Sequence, residues 1–187
     1  MKVAAAVLAA GASRRLGRPK QLERRQGEAL VRRAARLARE AGCDPVLVVL
    51  GFEAERIGTE LRGLAVQAVR NPVWEEGMAA SIRCAVEALP PETGGLLLVT
   101  CDQWALEAAD LGRLLDAFRA APDRVAAAGY GGGQGIPAVF PASSFEDLSA
   151  LSGDRGARSL LGCSLNVVEM PTAAPDLDTE ADLQGLD

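Results

Sequence analysis

Apolar and polar positions fall in blocks along this chain, and the block lengths are those of strands and helices taken in turn. An apolar run at 3–8 is short enough to be one buried strand. Beyond a polar loop, residues 28–41 put Leu30, Ala34, Leu37, Ala38 and Ala41 on one helical face and Arg32, Arg33, Arg36 and Arg39 on the other, with Gly42 as the stop. The unbroken apolar run at 45–50, PVLVVL, predicts a second strand covered on both faces, and Gly51 closes it. A crossover helix at 53–61 and a more alternating strand at 64–69 follow. This β-α-β-α-β order is the beginning of a doubly wound parallel sheet.

Asn71-Pro72 is a turn signal that ends the third strand. Gly77 opens a predicted helix that runs to residue 89 and stops at Pro90-Pro91; periodicity gives Trp74 and Met78 to the core, with ligand contact the alternative. The run at 96–100, LLLVT, is the most apolar and predicts the central strand. It delivers Cys101-Asp102-Gln103 to the same sheet edge as the loop that follows 3–8, and a carboxylate buried there needs a cation partner. Asp102 could instead cap a helix predicted at 105–120.

A strand at 124–128, a glycine-rich link at 129–135 and a strand at 136–140 come next. The link joins two strands, so it reads as a flexible turn or as a loop that lets a substrate approach the backbone. Residues 153–161 carry a short helix with Arg155 and Arg158, and 163–169 form a last strand. Thr179 reads as the N-cap of a short terminal helix, with Asp182 three positions on, close to a capping box. There are no repeats or low-complexity stretches, so one domain over 1–187 is expected.

Composition narrows the chemistry. Only 4% of residues are aromatic against 49% apolar overall, so the core is built from Ala, Val and Leu. No apolar run reaches the ~20 residues of a membrane span and Met1-Lys2 leads straight into the first strand, so a cytoplasmic protein without membrane contact is expected. Cys43, Cys84, Cys101 and Cys163 lie far apart with no C-x-x-C pair, which predicts buried reduced thiols. Histidine is absent, which excludes Ser-His-Asp and Cys-His catalysis and any histidine metal site. What remains is Lys, Arg, carboxylates, or a hard metal held by oxygen. The net charge of −5 argues against a general nucleic-acid binder, but its distribution is uneven. Nine of the twenty basic residues fall between Arg14 and Arg36, whereas 171–187 carry five acids and no base. The two could meet at one site, phosphates on the first and a metal on the second, or the tail could be a solvated end.

The cationic cluster opens with residues 8–20, LAAGASRRLGRPK, between the first strand and first helix. In parallel α/β sheets that crossing point is where ligands sit. Gly11 and Gly17 permit close backbone approach, and Ser13, Arg14, Arg15, Arg18 and Lys20 suit polyphosphate, although a solvated basic turn would carry the same charges. The spacing excludes a Walker loop, since five residues separate Gly11 from Gly17 and Lys20 lies three beyond.

What the stretch resembles is the signature loop of the nucleotidyltransferases that make nucleoside-diphosphate-linked products, Leu-Ala-Ala-Gly-x-Ser-x-Arg-x-Gly-x-x-Lys. Leu8, Ala9, Ala10, Gly11, Ser13, Arg15, Gly17 and Lys20 all match. Further segments agree in order. Asn71-Pro72-x-Trp74-x-x-Gly77-Met78-x-x-Ser81-Ile82 resembles the molybdenum cofactor cytidylyltransferase branch, Cys101-Asp102-Gln103 the family's metal-binding aspartate motif, and 135–140 its Gly-x-Pro-x-x-Phe element. One departure is Trp104, where the family usually has Pro, at a point that bears on the local turn and the acceptor pocket.

The resemblance implies a Rossmann-like three-layer α/β/α sandwich with a mostly parallel sheet, of the nucleotidyltransferase type. It implies attack by an acceptor phosphate on the α-phosphorus of an NTP, CTP favoured, with release of pyrophosphate. Arg15 and Lys20 would be catalytic, neutralising the β- and γ-phosphates; Leu8, Ala9, Ala10, Gly11 and Ser13 would bind nucleotide, with backbone amides of 10–13 facing it. Gly77 and Ser81 would line the nucleoside end. Asp102 and Asp178 would hold Mg²⁺, with Asp176 a near alternative to Asp178. Ala10 stands where the guanylyl branch resembles a glycine, which is the basis of the CTP expectation. The acceptor expected is molybdopterin, with transient contact to a molybdoenzyme or its chaperone; a sugar or alcohol phosphate, or a catalytically silent nucleotide-binding subunit, are the alternatives.

Overall fold

The computed structural model describes residues 1–154, 156–162 and 165–186. In chain order the elements are β1 (Lys2–Ala9), a two-residue hairpin of β2 (Arg24–Arg25) and β3 (Glu28–Ala29), α1 (Leu30–Glu40), β4 (Val46–Leu50), α2 (Ala54–Thr59) and β5 (Gln67–Arg70). Then come α3 (Met78–Glu87), β6 (Thr93–Thr100), α4 (Ala108–Ala120), β7 (Val125–Tyr130), β8 (Gly133–Pro141), α5 (Phe145–Ser149) and β9 (Leu165–Glu169). Seven strands form one sheet in the order β5-β4-β1-β6-β8-β7-β9. Only β8 runs antiparallel to its neighbours.

The strands are buried on both sides because helices cover both faces, and the pleat of β1 shows how the core divides. Val3, Ala5, Val7 and Ala9 meet α1, α2 and α4 on one face. Ala4, Ala6 and Leu8 meet Ile82 and Ala85 of α3 and Leu148 of α5 on the other. The result is the expected three-layer α/β/α arrangement of Rossmann-like type. Among the described residues no helix is long and apolar enough to cross a membrane.

Several boundaries differ from those expected. The first helix starts at Leu30 because Glu28 and Ala29 pair with Arg25 and Arg24, a local contact that helical periodicity does not register. The helix expected at 105 starts at Ala108, capped by Glu107 in a capping box with Asp110, so Asp102 does not cap it. In the glycine-rich link, Gly129 and Tyr130 belong to β7 and Gly133 to Gly135 to β8, leaving only two residues to turn. Thr179 caps the terminal segment with Asp182 as expected, but that segment, Glu180–Gly185, is a 3₁₀ helix. Cys43 and Cys101 are buried while Cys84 is half-buried, and none of the three is in a disulfide. Cys163 and Arg155 lie outside the described residues.

Candidate active site

The carboxyl ends of β1 and β6, adjacent and parallel, bring the 9–20 loop beside Asp102. Leu177 donates its amide to the Asp102 carbonyl at 3.1 Å, which brings the acidic tail to the same point. The cationic loop and the acidic tail therefore do meet. Lys20 Nζ lies 2.6 Å from Asp102 Oδ2 and 2.9 Å from Asp178 Oδ1, and an Arg15 guanidinium nitrogen lies 2.7 Å from Asp178 Oδ2. Burial works against the Lys20 ammonium, but the Asp102 charge and hydrogen bonds to Asp102 and Asp178 outweigh it and raise its pKa above the ordinary lysine value. The cation partner expected for Asp102 is Lys20.

Two clefts open on either side of this cluster. One, of about 420 Å³, is lined by Leu8, Ala9, Ala10 and Gly11 together with Trp74, Gly77, Ser81 and Asp154. The other, of about 320 Å³, is lined by Arg15, Tyr130, Ile136, Ala173, Asp176 and Asp178. Lys20, Met78, Thr100 and Asp102 border both. A two-substrate transfer needs this arrangement, with reacting groups brought together over a shared set of charges.

Of the residues singled out in the sequence, Leu8, Ala9, Ala10, Gly11, Lys20, Gly77, Ser81 and Asp102 border the first cleft. Arg15 and Asp178 border the second. Ser13 borders neither: with φ of 52° it turns its hydroxyl into the loop, accepting the Lys20 amide at 3.2 Å. Asp176 faces the second cleft, where burial, then the charges of Asp102 and Asp178, raise its carboxyl pKa. Cys101 is fully buried behind Asp102, and burial pushes its thiol up to about 12, which makes it a packing residue.

Trp104 borders neither cleft. Its ring packs with Leu16, Leu30, Leu177, Leu183 and Leu186 under the terminal segment, and Arg25 stacks over it at 4.9 Å. An indole after Cys-Asp-Gln is thus accommodated by a small hydrophobic cluster that ties the acidic tail down.

Three contributors carry no periodic signature. Gln21 holds the loop through its carboxamide, which only tertiary contacts reveal. Asn71, buried, donates to Ser81 Oγ at 3.1 Å and accepts the Val73 amide at 3.0 Å, so the Asn-Pro turn also seats a cleft residue. Asp154 enters because Gly153 accepts the Ala79 amide at 3.2 Å and lays its segment over the start of α3. Gly77 is required there: its φ is 104°, and a Cβ would run into the Asp154 carboxylate and come within 2.9 Å of the Gly153 carbonyl. Gly77→Ala is therefore expected to lower stability by about 1–3 kcal/mol and to weaken nucleotide binding, read by thermal melting and titration calorimetry.

A doubly wound sheet whose carboxyl edge sets a cationic loop against paired aspartates, between two clefts, defines a group-transfer protein of the nucleotide-handling class. Comparison with known proteins gives the family: residues 5–169 match the MobA-like NTP transferase domain, and the chain belongs to that family of nucleotidyltransferases. It is similar to the nicotine blue oxidoreductase of Paenarthrobacter nicotinovorans, 34% identical over 85% of this chain and 81% of that one. It is also similar to a probable molybdenum cofactor guanylyltransferase of Opitutus terrae, 37% identical over 63% of this chain and 56% of the relative. Among solved structures, Rv0371c of Mycobacterium tuberculosis superposes with a TM-score of 0.87 at 30% identity, over 100% of this chain and 97% of the other. A manganese complex of Rv0371c superposes at 0.80 and 29%, over 100% and 98%.

Proposed function

We propose that this chain, acting as one domain over 1–187 in the cytoplasm, transfers a cytidylyl group from CTP to a phosphorylated acceptor and releases pyrophosphate. The observation that carries the reading is the meeting of two clefts at Lys20, Thr100 and Asp102. The nucleotide occupies the cleft of Leu8 to Gly11, with its nucleoside end toward Gly77 and Ser81. The acceptor, with molybdopterin preferred, enters beside Arg15, Asp176 and Asp178, and its product passes to a molybdoenzyme or its chaperone. Lys20 and Arg15 carry positive charge to the phosphates that leave, and such transfer rests on positioning and charge stabilisation, so a chain without histidine suffices.

The carboxylates suit a hard divalent cation. Asp102 Oδ1 is buried with no hydrogen-bond partner among the described residues, an oxygen that a cation would satisfy. Asp102 and Asp178 would hold Mg²⁺, which supplies charge neutralisation to the phosphate oxygens.

The base preference follows from Ala10, which is buried and borders the nucleotide cleft. A methyl group facing the base takes space that a purine's second ring needs. CTP is therefore expected over GTP by roughly 10- to 200-fold in kcat/KM, and Ala10→Gly narrows the gap without reversing it. Equal use of both by the parent would overturn the cytidylyl assignment and leave nucleotidyl transfer standing. The wider test is a pyrophosphate-release screen of four NTPs against molybdopterin and against sugar and alcohol phosphates. A parallel measurement of reduced-nicotinamide oxidation examines the activity named for the Paenarthrobacter relative. Pyrophosphate from no pair would overturn the transfer reading.

A further inference from the structure

Gln21 is 1% exposed, in the short 3₁₀ turn Lys20–Leu22 directly after the cationic loop. A buried carboxamide with two donors needs two acceptors. Gln21 Nε2 finds them in the loop itself, donating to the Ala9 carbonyl at 2.9 Å and to the Gly11 carbonyl at 2.7 Å. At its other end Oε1 accepts the Ser13 hydroxyl, a long bond at 3.5 Å, and that hydroxyl in turn accepts the Lys20 amide at 3.2 Å.

These bonds decide which way the loop's peptide dipoles point. In a trans peptide the carbonyl and the amide hydrogen lie on opposite sides of the chain. The Ala9-Ala10 and Gly11-Ala12 peptides are trans, since the chain's cis bonds are at Asp44-Pro45 and Ile136-Pro137. With the Ala9 and Gly11 oxygens drawn to Gln21, the amides of Ala10 and Ala12 point away from it. The amides of Gly11, Ala12 and Ser13 donate no hydrogen bond among the described residues, and Ala10, Gly11 and Ala12 border the larger cleft. Of these, the Ala12 amide is both free and turned away from Gln21 at the cleft border, and a free backbone amide so placed is an element of an anion-binding concavity.

The loop does not hold this shape by intrinsic preference, because Ser13 sits in the left-handed region at φ of 52° without being glycine. A peptide flip at 11–12 would turn a carbonyl oxygen toward the position of a phosphate. We infer that Gln21 is the positioning residue that fixes the loop's polarity, so that it presents amides to the triphosphate. This rests on the nucleotide-transfer reading and adds to it a residue that borders the nucleotide cleft, is 1% exposed and spends its carboxamide nitrogen on the loop. The same network seats the Lys20 backbone, whose side chain reaches Asp102 and Asp178, so one carboxamide aligns both the amide cradle and the ammonium.

The chemistry makes a specific demand at position 21. Glutamate keeps the size but offers only acceptors to two carbonyls, and methionine keeps the bulk but offers neither donor nor acceptor. The experiment compares the parent, Gln21→Glu and Gln21→Met by titration calorimetry with three probes: inorganic tripolyphosphate, CTP and cytidine. Both variants are expected to bind tripolyphosphate and CTP roughly 10- to 100-fold more weakly and cytidine within about 2-fold of the parent, because only the phosphate-facing dipoles are lost. The kinetic counterpart is a raised KM for CTP with a smaller fall in kcat.

Equal weakening for cytidine and tripolyphosphate would make Gln21 a packing residue and overturn the inference. So would variants that match the parent. Should both Gln21 variants fail to fold, Ser13→Ala removes only the weaker arm, and its expected loss of about 3-fold for tripolyphosphate with cytidine unchanged tests the same network. Failure of the parent to bind any of the four NTPs would instead remove the transfer reading itself, an outcome distinct from a failure at position 21.

Discussion

Lys20→Ala is expected to turn over roughly 10²- to 10³-fold more slowly than the parent, because it removes one preorganised charge from a developing pyrophosphate. The structure adds a second, opposite expectation for the same variant. Lys20 Nζ lies between Asp102 Oδ2 and Asp178 Oδ1, at 2.6 and 2.9 Å, where it neutralises both. Without it two carboxylates face each other with only the largely exposed Arg15 nearby. The nucleotide-free variant should therefore bind Mn²⁺ about tenfold more tightly or better. That is a modest share of the ~4 kcal/mol that unit charges 4 Å apart exchange at an effective dielectric of 20. Steady-state kinetics and manganese spin resonance read the two effects. Turnover lost together with weakened metal binding would mean that Lys20 supports the aspartates and does not compete for them.

Asp102→Asn is expected to have the largest effect, loss of metal-dependent turnover by about 10³-fold or more. The amide is nearly isosteric and still offers the Lys20 ammonium an oxygen, so the local packing survives and the melting temperature stays within a few degrees. What is lost is the charge, and with it the one carboxylate among the described residues that has a buried oxygen free for a cation. An Asp102→Asn protein as active as the parent would place the metal elsewhere; one that fails to melt cooperatively would make Asp102 structural.

The two predictions draw on different levels of information. That Asp102 stands at the end of a buried strand was legible from LLLVT followed by Cys-Asp-Gln, since a run that apolar is covered on both faces and its last polar residue emerges at the sheet edge. The Lys20 and Asp178 pairing was not legible from pattern alone. Residues 20, 102 and 178 are brought together by a parallel crossover and by the tail lying back across Asp102, and neither contact leaves a periodicity.

The same division accounts for the misplaced elements. The onset of α1 was set by a two-residue hairpin and that of α4 by a capping box at Glu107 and Asp110, both local hydrogen-bonded choices that override apolar spacing by two or three residues. Trp104 stood in the linear motif where the family usually has Pro, at a point that bears on the local turn and the acceptor pocket. A hydrophobic cluster of Leu16, Leu30, Leu177 and Leu186, drawn from the first loop, the start of α1 and the acidic tail, holds the ring.

By itself the sequence determined the alternation of strands and helices, the cationic loop, the absence of histidine chemistry and the family, because each depends on residue type and spacing along the chain. Tertiary structure alone decided that the acidic tail meets the basic loop, that two clefts share Lys20 and Asp102, and that a buried glutamine bonds two carbonyls of the loop. The physical reason is common to all three: these depend on which oxygens and ammonium groups come within hydrogen-bond distance once the sheet is assembled. Until helices cover both faces of that sheet, water satisfies those groups equally well.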